Sequence, residues 1–216
     1  MNRYAVIVAG GTGSRFGSTL PKQFVPLNGE PVLMHSVRTF HAYDPTMEII
    51  VVLPNEYQTL WNDICKQYQF TIPHRIVVGG ENRFESVKNA LYSIKETEGF
   101  VAVHDGARPL IDRQTISDGF GTAERCGSAI PVIPVTDRQG SHTINRDSLV
   151  AVQTPQVFKL ALLKEAYNTA FSPMFTDDAS VVEYRGTDVT LYKGNVRNLK
   201  ITHPDDIKIA EIILKK

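Results

Sequence analysis

The stretch Ala5-Val6-Ile7-Val8-Ala9-Gly10-Gly11-Thr12-Gly13-Ser14-Arg15-Phe16-Gly17, followed by Leu20-Pro21-Lys22-Gln23-Phe24, decides how the rest of the chain is read. A short apolar run rich in β-branched side chains, too brief for a helix, passes straight into a loop of glycines. That is a strand and the turn after it. Glycines at 10, 11 and 13 let the backbone turn sharply and bring its N–H groups against an anion with no Cβ in the way. The loop is not a Walker A loop, because no Gly-Lys-Ser/Thr occurs in the chain. Its GxGxxxG spacing also departs from the dinucleotide fingerprint, and the second strand ends in Leu53-Pro54 without a ribose-binding acid. Arg15 and Lys22 lie in the loop itself. A pyrophosphate is met by backbone and helix dipole alone, whereas a nucleoside triphosphate, with about four negative charges, calls for added cations. A tight turn carrying a solvated Arg and Lys is the other reading of the loop taken alone.

Outward from that loop, short apolar runs recur at 48–53, 75–78, 100–104 and 128–134, and the segments 32–43, 56–68 and 84–95 between them place apolar residues three and four apart. The pattern predicts a mostly parallel α/β sheet with helices packed on it. Residues 136–147 are polar with no helical period and read as a turn or projecting arm. Beyond them the sequence predicts a helix over 159–170, a short helix starting near Asp177-Asp178, strands at 189–192 and 199–202, and a terminal helix from Pro204. There Asp205 and Asp206 suit an N-terminal turn better than a metal. No repeat or low-complexity segment divides the chain, so 1–216 reads as one domain.

The 216 residues carry 23 Lys+Arg against 23 Asp+Glu, a formal net charge of +0, which argues against a general nucleic-acid binder. The apolar run 5–9 is too short for a signal segment or membrane span, so a cytoplasmic location without membrane partners is the expectation. Cys65 and Cys126 lie far apart with no zinc or redox spacing, and are expected to be buried thiols in a reducing compartment.

Two further loops follow predicted strands. Val103-His104-Asp105-Gly106-Ala107-Arg108-Pro109 puts an aspartate at the carboxyl end of a strand, where it could hold magnesium bridging phosphates. An Asx turn or an ion pair with Arg108 is the competing role for Asp105. In Gly79-Gly80-Glu81-Asn82-Arg83-Phe84-Glu85-Ser86-Val87, Arg83 and Ser86 near a helix start could meet a nucleotide, although such residues also serve as ordinary caps.

AGGTGSRFG with PKQF, GGENRFESV, VHDGARPLI, INRDSLVAVQTPQVF, FTDDASVVE and GNVRNLKITHPDDIKIAE occur in that order. Together they resemble the 2-C-methyl-D-erythritol 4-phosphate cytidylyltransferase family nearly end to end. The resemblance implies a Rossmann-like α/β fold, a homodimer formed through a projecting arm around 135–151, and a need for magnesium. CTP and a polyol phosphate would be the substrates. Ala9, Gly10, Gly11, Thr12 and Gly13 would cradle the nucleotide phosphates, with Gly80, Glu81, Arg83 and Ser86 at cytidine and ribose. Arg15, Lys22 and Lys200 would grip the triphosphate and stabilise the pentavalent phosphorus, and Asp105 would hold the metal. Arg108, Thr154 and an Arg146 supplied across the dimer interface would meet the polyol phosphate. No nucleophilic side chain or general base is needed, because a phosphate oxygen is already ionised near neutral pH. His35, on a predicted helix, is therefore expected to pack or face solvent.

Members commonly carry Asp-Thr or Asp-Ser after the Pro-Val strand and then a longer arm. Here Asp137 is followed by Arg138 and the run to Arg146 is short, so the hydroxyl that would help hold the sugar phosphate is missing. A naturally short arm and an arm lacking some residues both fit. A ribitol-5-phosphate cytidylyltransferase is the sister reading. A glycosyltransferase would normally show Asp-x-Asp, which the chain lacks. A nucleotide-binding module without turnover is the non-enzymatic alternative. On the leading reading, zero net charge coexists with a focused anion site of Arg15, Lys22, Arg83, Arg108 and Lys200, the balancing acids lying elsewhere apart from Asp105.

Overall fold

The structure is a computed structural model that describes residues 1–11, 16, 20–135 and 149–215. In chain order its elements are β1 (Arg3–Val8), a ribbon of β2 (Pro26–Leu27) and β3 (Glu30–Pro31), α1 (Val32–Tyr43), β4 (Glu48–Leu53), α2 (Gln58–Gln67), β5 (Arg75–Val78) and α3 (Arg83–Ser93). Then come β6 (Phe100–Asp105), α4 (Arg113–Cys126), β7 (Ser128–Pro134), β8 (Val150–Val152), β9 (Gln156–Lys159), α5 (Leu160–Ala166), α6 (Asp178–Tyr184), β10 (Leu191–Lys193) and α7 (Pro204–Leu214).

The main sheet runs β10-β7-β9-β6-β1-β4-β5, with β8 beside β7. β1 pairs in parallel with both β4 and β6, and β5 and β10 also pair in parallel with their neighbours. The exceptions are β9, antiparallel to both β6 and β7, and β8, antiparallel to β7. Alternation along β1 explains why its apolar run is unbroken. Ala5 and Ile7 join one core with Leu33, Val37, Ile49 and Val51, while Tyr4 and Val6 join the other with Ile50, Val52, Phe84 and Val87. Helices cover both faces, so the inner positions of β1 are buried, and a large aliphatic side chain there contributes about 1.5–3 kcal/mol.

Several expectations need correction. The segment 199–202 forms no strand: Ile201 donates its N–H to Ala107 O and its side chain packs with Leu27, Val32 and Ala210, so the alternation reflects core packing, not a ladder. The helix expected over 159–170 covers only 160–166, because Lys159 ends β9 and pairs with Phe100. Of the cysteines, Cys65 is half-buried and Cys126 is exposed. The capping role at α7 belongs to Asp206, whose carboxylate accepts from the N–H groups of Thr202 and His203 at 2.7 Å. Asp205 instead pairs with Lys208 at 2.9 Å. His35, as expected, packs on α1, with Nε2 2.9 Å from Leu27 O. Most of the predicted arm, 136–148, and with it Arg146, lies outside the described residues. No helix among the described residues is long and apolar enough to cross a membrane.

This topology places the site. From β1 the chain builds outward through β4 and β5, then returns to add β6 on β1's other side. The strand order therefore reverses between β1 and β6, and ligands bind outside the carboxyl ends of strands at such a point. Val8 and Asp105, the last residues of these two strands, are register partners.

Candidate active site

A cavity of about 380 Å³ opens at this reversal, between Gly10 and Gly11, the turn Gly80-Glu81-Asn82 and the side chains of Lys22, Asp105 and Lys200. The glycine loop is pinned at its base, where Ala9 N donates to Val52 O and the buried Gln23 donates through Nε2 to Ala9 O at 2.8 Å. A Cβ on Gly11 would meet nothing within 4 Å among the described residues, and Gly11 lines the cavity. Lys22 reaches across to donate to Ile201 O at 2.9 Å.

The opposite side is built by the start of α3. Asn82 caps the helix through Oδ1, accepting from Glu85 N at 2.9 Å. Ser86 ties the turn to the helix: its hydroxyl donates to Asn82 O at 2.8 Å and accepts from Gly80 N at 3.1 Å. Gly80 must lack a side chain, since a Cβ there would lie 2.3 Å from the Glu85 Cβ. Arg83 and Ser86 both face the cavity.

Asp105 is the electrostatic centre. Lys200 Nζ lies 2.8 Å from its carboxylate, Arg108 Nε 3.5 Å and Arg83 Nε 3.6 Å. Burial alone would raise its pKa, but Arg83, Lys200 and Arg108 together hold it well below the usual carboxylate range. Both competing readings of this residue are thus present: it pairs with Arg108, and it ends a strand at the mouth of a polar cavity.

A second hollow of about 260 Å³ lies on the far side of Asp105, lined by Arg108, Gln153, Thr154, Gln156 and Asp177. Arg83, Asp105 and Lys200 border both hollows. Arg108 donates through Nη1 to Asn198 O at 2.9 Å, while its buried Nε, 3.5 Å from Asp105, has no hydrogen-bond partner among the described residues. Thr154 Oγ1 accepts from Asp105 N at 3.0 Å and lies 3.2 Å from His104 Nδ1, so this hydroxyl fixes the wall of the hollow. His104 Nε2 faces Arg108 O at 3.1 Å. A carbonyl only accepts, so Nε2 carries the proton and Nδ1 accepts from Thr154; burial keeps the ring neutral by lowering its pKa to about 4.

Of the sequence-predicted residues, Ala9, Gly10, Gly11, Lys22, Gly80, Glu81, Arg83, Ser86, Asp105 and Lys200 line the first cavity, and Arg108 and Thr154 the second. Thr12, Gly13, Arg15 and Arg146 lie outside the described residues. Sequence reasoning missed Gln23, His104, Gln153 and Gln156, which support the site without charge. It also missed acids close to the cations: Asp177 borders the second hollow and the buried Asp178 pairs with Arg83, while Glu81, expected at the nucleotide, borders the first. The expectation that Asp105 alone stands among them is corrected.

The sequence pattern of 2-C-methyl-D-erythritol 4-phosphate cytidylyltransferase matches residues 4–216. The chain belongs to that family. A protein of this name from Phocaeicola vulgatus is 48% identical over 220 residues, covering 99% of this chain and 100% of its own. The Bacteroides fragilis protein of the same name is also 48% identical, with the same coverage. Among solved structures, the cytidylyltransferase of Thermus thermophilus superposes with a TM-score of 0.82 at 28% identity, covering 100% of both chains. That of Francisella tularensis gives 0.80 at 29% identity, over 98% of this chain and 99% of its own. As a member of this cytidylyltransferase family the protein is a nucleotidyltransferase, and the cation-lined junction described above is its candidate reaction centre.

Proposed function

We propose that this chain transfers the cytidylyl group of CTP to 2-C-methyl-D-erythritol 4-phosphate, releasing pyrophosphate and forming the diphosphocytidyl polyol of non-mevalonate isoprenoid synthesis. The observation that carries the reading is the pair of hollows sharing Arg83, Asp105 and Lys200. One is roomy and glycine-floored and suits a nucleotide; the other is smaller, polar and holds Arg108. An oxygen of a phosphate monoester in the second would face an α-phosphate in the first. Lys22 and Lys200 would neutralise the charge that develops as pyrophosphate leaves, and Arg108 would orient the attacking phosphate. No side chain has to accept a proton or form a covalent bond.

Asp105 fits a magnesium ion of the kind that keeps waters and substrate phosphates as most of its ligands, because it supplies one carboxylate at the junction. No cluster of three or more acidic, histidine or cysteine side chains suited to a metal occurs among the described residues. The ion would supply Lewis-acid polarisation of the phosphates. Lys200, now on Asp105, would turn toward the triphosphate.

A homodimer through 135–151 belongs to the same proposal. β7 and β8 pair antiparallel, so the chain leaves and re-enters the sheet at neighbouring points, and Val150 and Val152 are about 40% exposed there. Sedimentation at the mass of one 24.1 kDa chain would remove this part.

The test is pyrophosphate release from each of the four nucleoside triphosphates with methylerythritol phosphate, with ribitol 5-phosphate and with neither. Release with CTP and methylerythritol phosphate alone is expected. Release with ribitol 5-phosphate instead would move the activity to the sister family, which the names of the relatives do not favour. Binding without release under every condition would leave a nucleotide-binding module.

A further inference from the structure

Arg83 is held from behind. Its Nη2 lies 2.6 Å from Asp178 Oδ2, while the other oxygen of Asp178 accepts from the Tyr167 hydroxyl, also at 2.6 Å. Asp178 is 0% exposed and Tyr167 is 0% exposed, so neither touches either hollow. The packing around them is rigid: Tyr167 stacks on Phe84 with ring centroids 4.7 Å apart, and Gln156 fixes the adjacent turn by accepting from Ala179 N at 2.9 Å. From this seat Arg83 turns Nε toward Asp105 at 3.6 Å and borders both hollows.

We infer that Asp178, buttressed by Tyr167, is a positioning residue for the transfer reaction, setting where the Arg83 guanidinium stands between nucleotide and acceptor phosphate. Two carboxylates compete for one guanidinium, and the nearer, Asp178, wins on distance. If Asp178 lost its charge, Arg83 would shift toward Asp105 and crowd the carboxylate that Lys200 now holds. A buried charge freed of its partner is costly, so the pair is maintained by mutual need and not by solvent. The Tyr167 hydroxyl occupies the second Asp178 oxygen and so leaves a single direction for Arg83.

This inference rests on the proposed transfer activity, and a double-mutant cycle separates the two. Wild type must first release pyrophosphate; if it does not, the activity itself fails. Given that activity, Asp178→Asn is expected to lower kcat/KM by about 10- to 100-fold, the scale of a misplaced reacting group. Arg83→Met is expected to lower it at least as far, and the double variant no further than Arg83→Met alone. Losses that multiply in the double variant would overturn the inference, because Asp178 would then act independently of Arg83. Thermal unfolding measured in parallel reads any purely structural effect, which Arg83→Met would not mask in kcat/KM. If Asp178→Asn does not fold, Tyr167→Phe carries the test: a loss of about fivefold, the size of one hydrogen bond, that disappears in the Arg83→Met background. Wild-type kcat/KM in Tyr167→Phe would overturn the inference equally.

Discussion

Replacing Lys22 with alanine lowers kcat by about 10²- to 10³-fold while the protein keeps its fold, the size of effect expected for one preorganised charge aimed at a transition state. In the structure Lys22 opens a short 3-10 turn, Lys22–Phe24, and its ammonium donates to Ile201 O at the cavity rim. Loss of that bond costs about 1 kcal/mol of stability, whereas the turnover loss corresponds to about 3–4 kcal/mol at the transition state. The turn itself is secured by Phe24, which stacks on Trp61, and by Gln23, which holds Ala9 O, so the Lys22→Ala variant leaves the glycine loop supported. Steady-state kinetics with a thermal melt check this. A rise in KM with kcat unchanged would show that Lys22 binds substrate and transition state alike and take it out of the chemical step.

Stability of the metal-free protein falls as pH drops from about 6.5 to about 4, by about 3 kcal/mol. The residue responsible is His104, 0% exposed and edge-on to the Phe40 ring at 5.3 Å, with Thr154 and the Arg108 carbonyl on its nitrogens and Asp105 beside it. Burial lowers its pKa to about 4, the Asp105 charge and the hydrogen bonds opposing only in part. An unfolded histidine takes up its proton near 6.5, so between the two values the unfolded state binds more protons and stability rises with pH. The contribution is complete above about 6.5 and lost as pH falls through about 4. Asp105 adds to the same trend at lower pH: its depressed pKa gives stability that is present above about 3.9 and lost below it. Urea unfolding of wild type and His104→Gln at pH 8, 6 and 4.5 reads the effect. The glutamine can still donate to Arg108 O and does not titrate, so its stability should be flatter across this window. Equal pH slopes in the two proteins would remove His104 as the cause.

What was legible follows from how local each determinant is. Strands 48–53, 75–78 and 128–134 and helix 32–43 match their sequence-based bounds, because each strand is a short apolar run rich in β-branched residues, and α1 carries its apolar stripe from Pro31 to the Asp44-Pro45 stop. Helix α4 escapes the sequence reading. Gly119 and Gly121 interrupt its pattern, and the first is there for packing: a Cβ on it would lie 2.9 Å from the Tyr192 hydroxyl. Strand β9 is hidden because Gln156 to Lys159 spends its polar ends on other elements, Gln156 bonding Asp177 and Ala179 at the start of α6.

The site shows the same division. Asp105, Arg83 and Ser86 could be named from loops that follow strands and Lys200 through the resemblance alone, and the fold brings them to one cavity. The partner of Arg83 could not, since Asp178 arrives from 95 positions away and its significance depends on burial that no local pattern displays. Neutral supports such as Gln23 and Gln153 escape for a related reason: a residue that holds a backbone group carries no charge or spacing that marks it.

The central claim is a single displacement in which the acceptor phosphate attacks the α-phosphorus directly, with no covalent nucleotidyl-protein intermediate. It is tested most directly by the stereochemical course at that phosphorus, using one diastereomer of CTP bearing sulfur on the α-phosphate together with methylerythritol phosphate, and assigning the product configuration by phosphorus NMR. One diphosphocytidyl product with inverted configuration is the predicted result. Retention would require two displacements and a nucleophile that the cavity is not read as providing, and either retention or the absence of product would contradict the account.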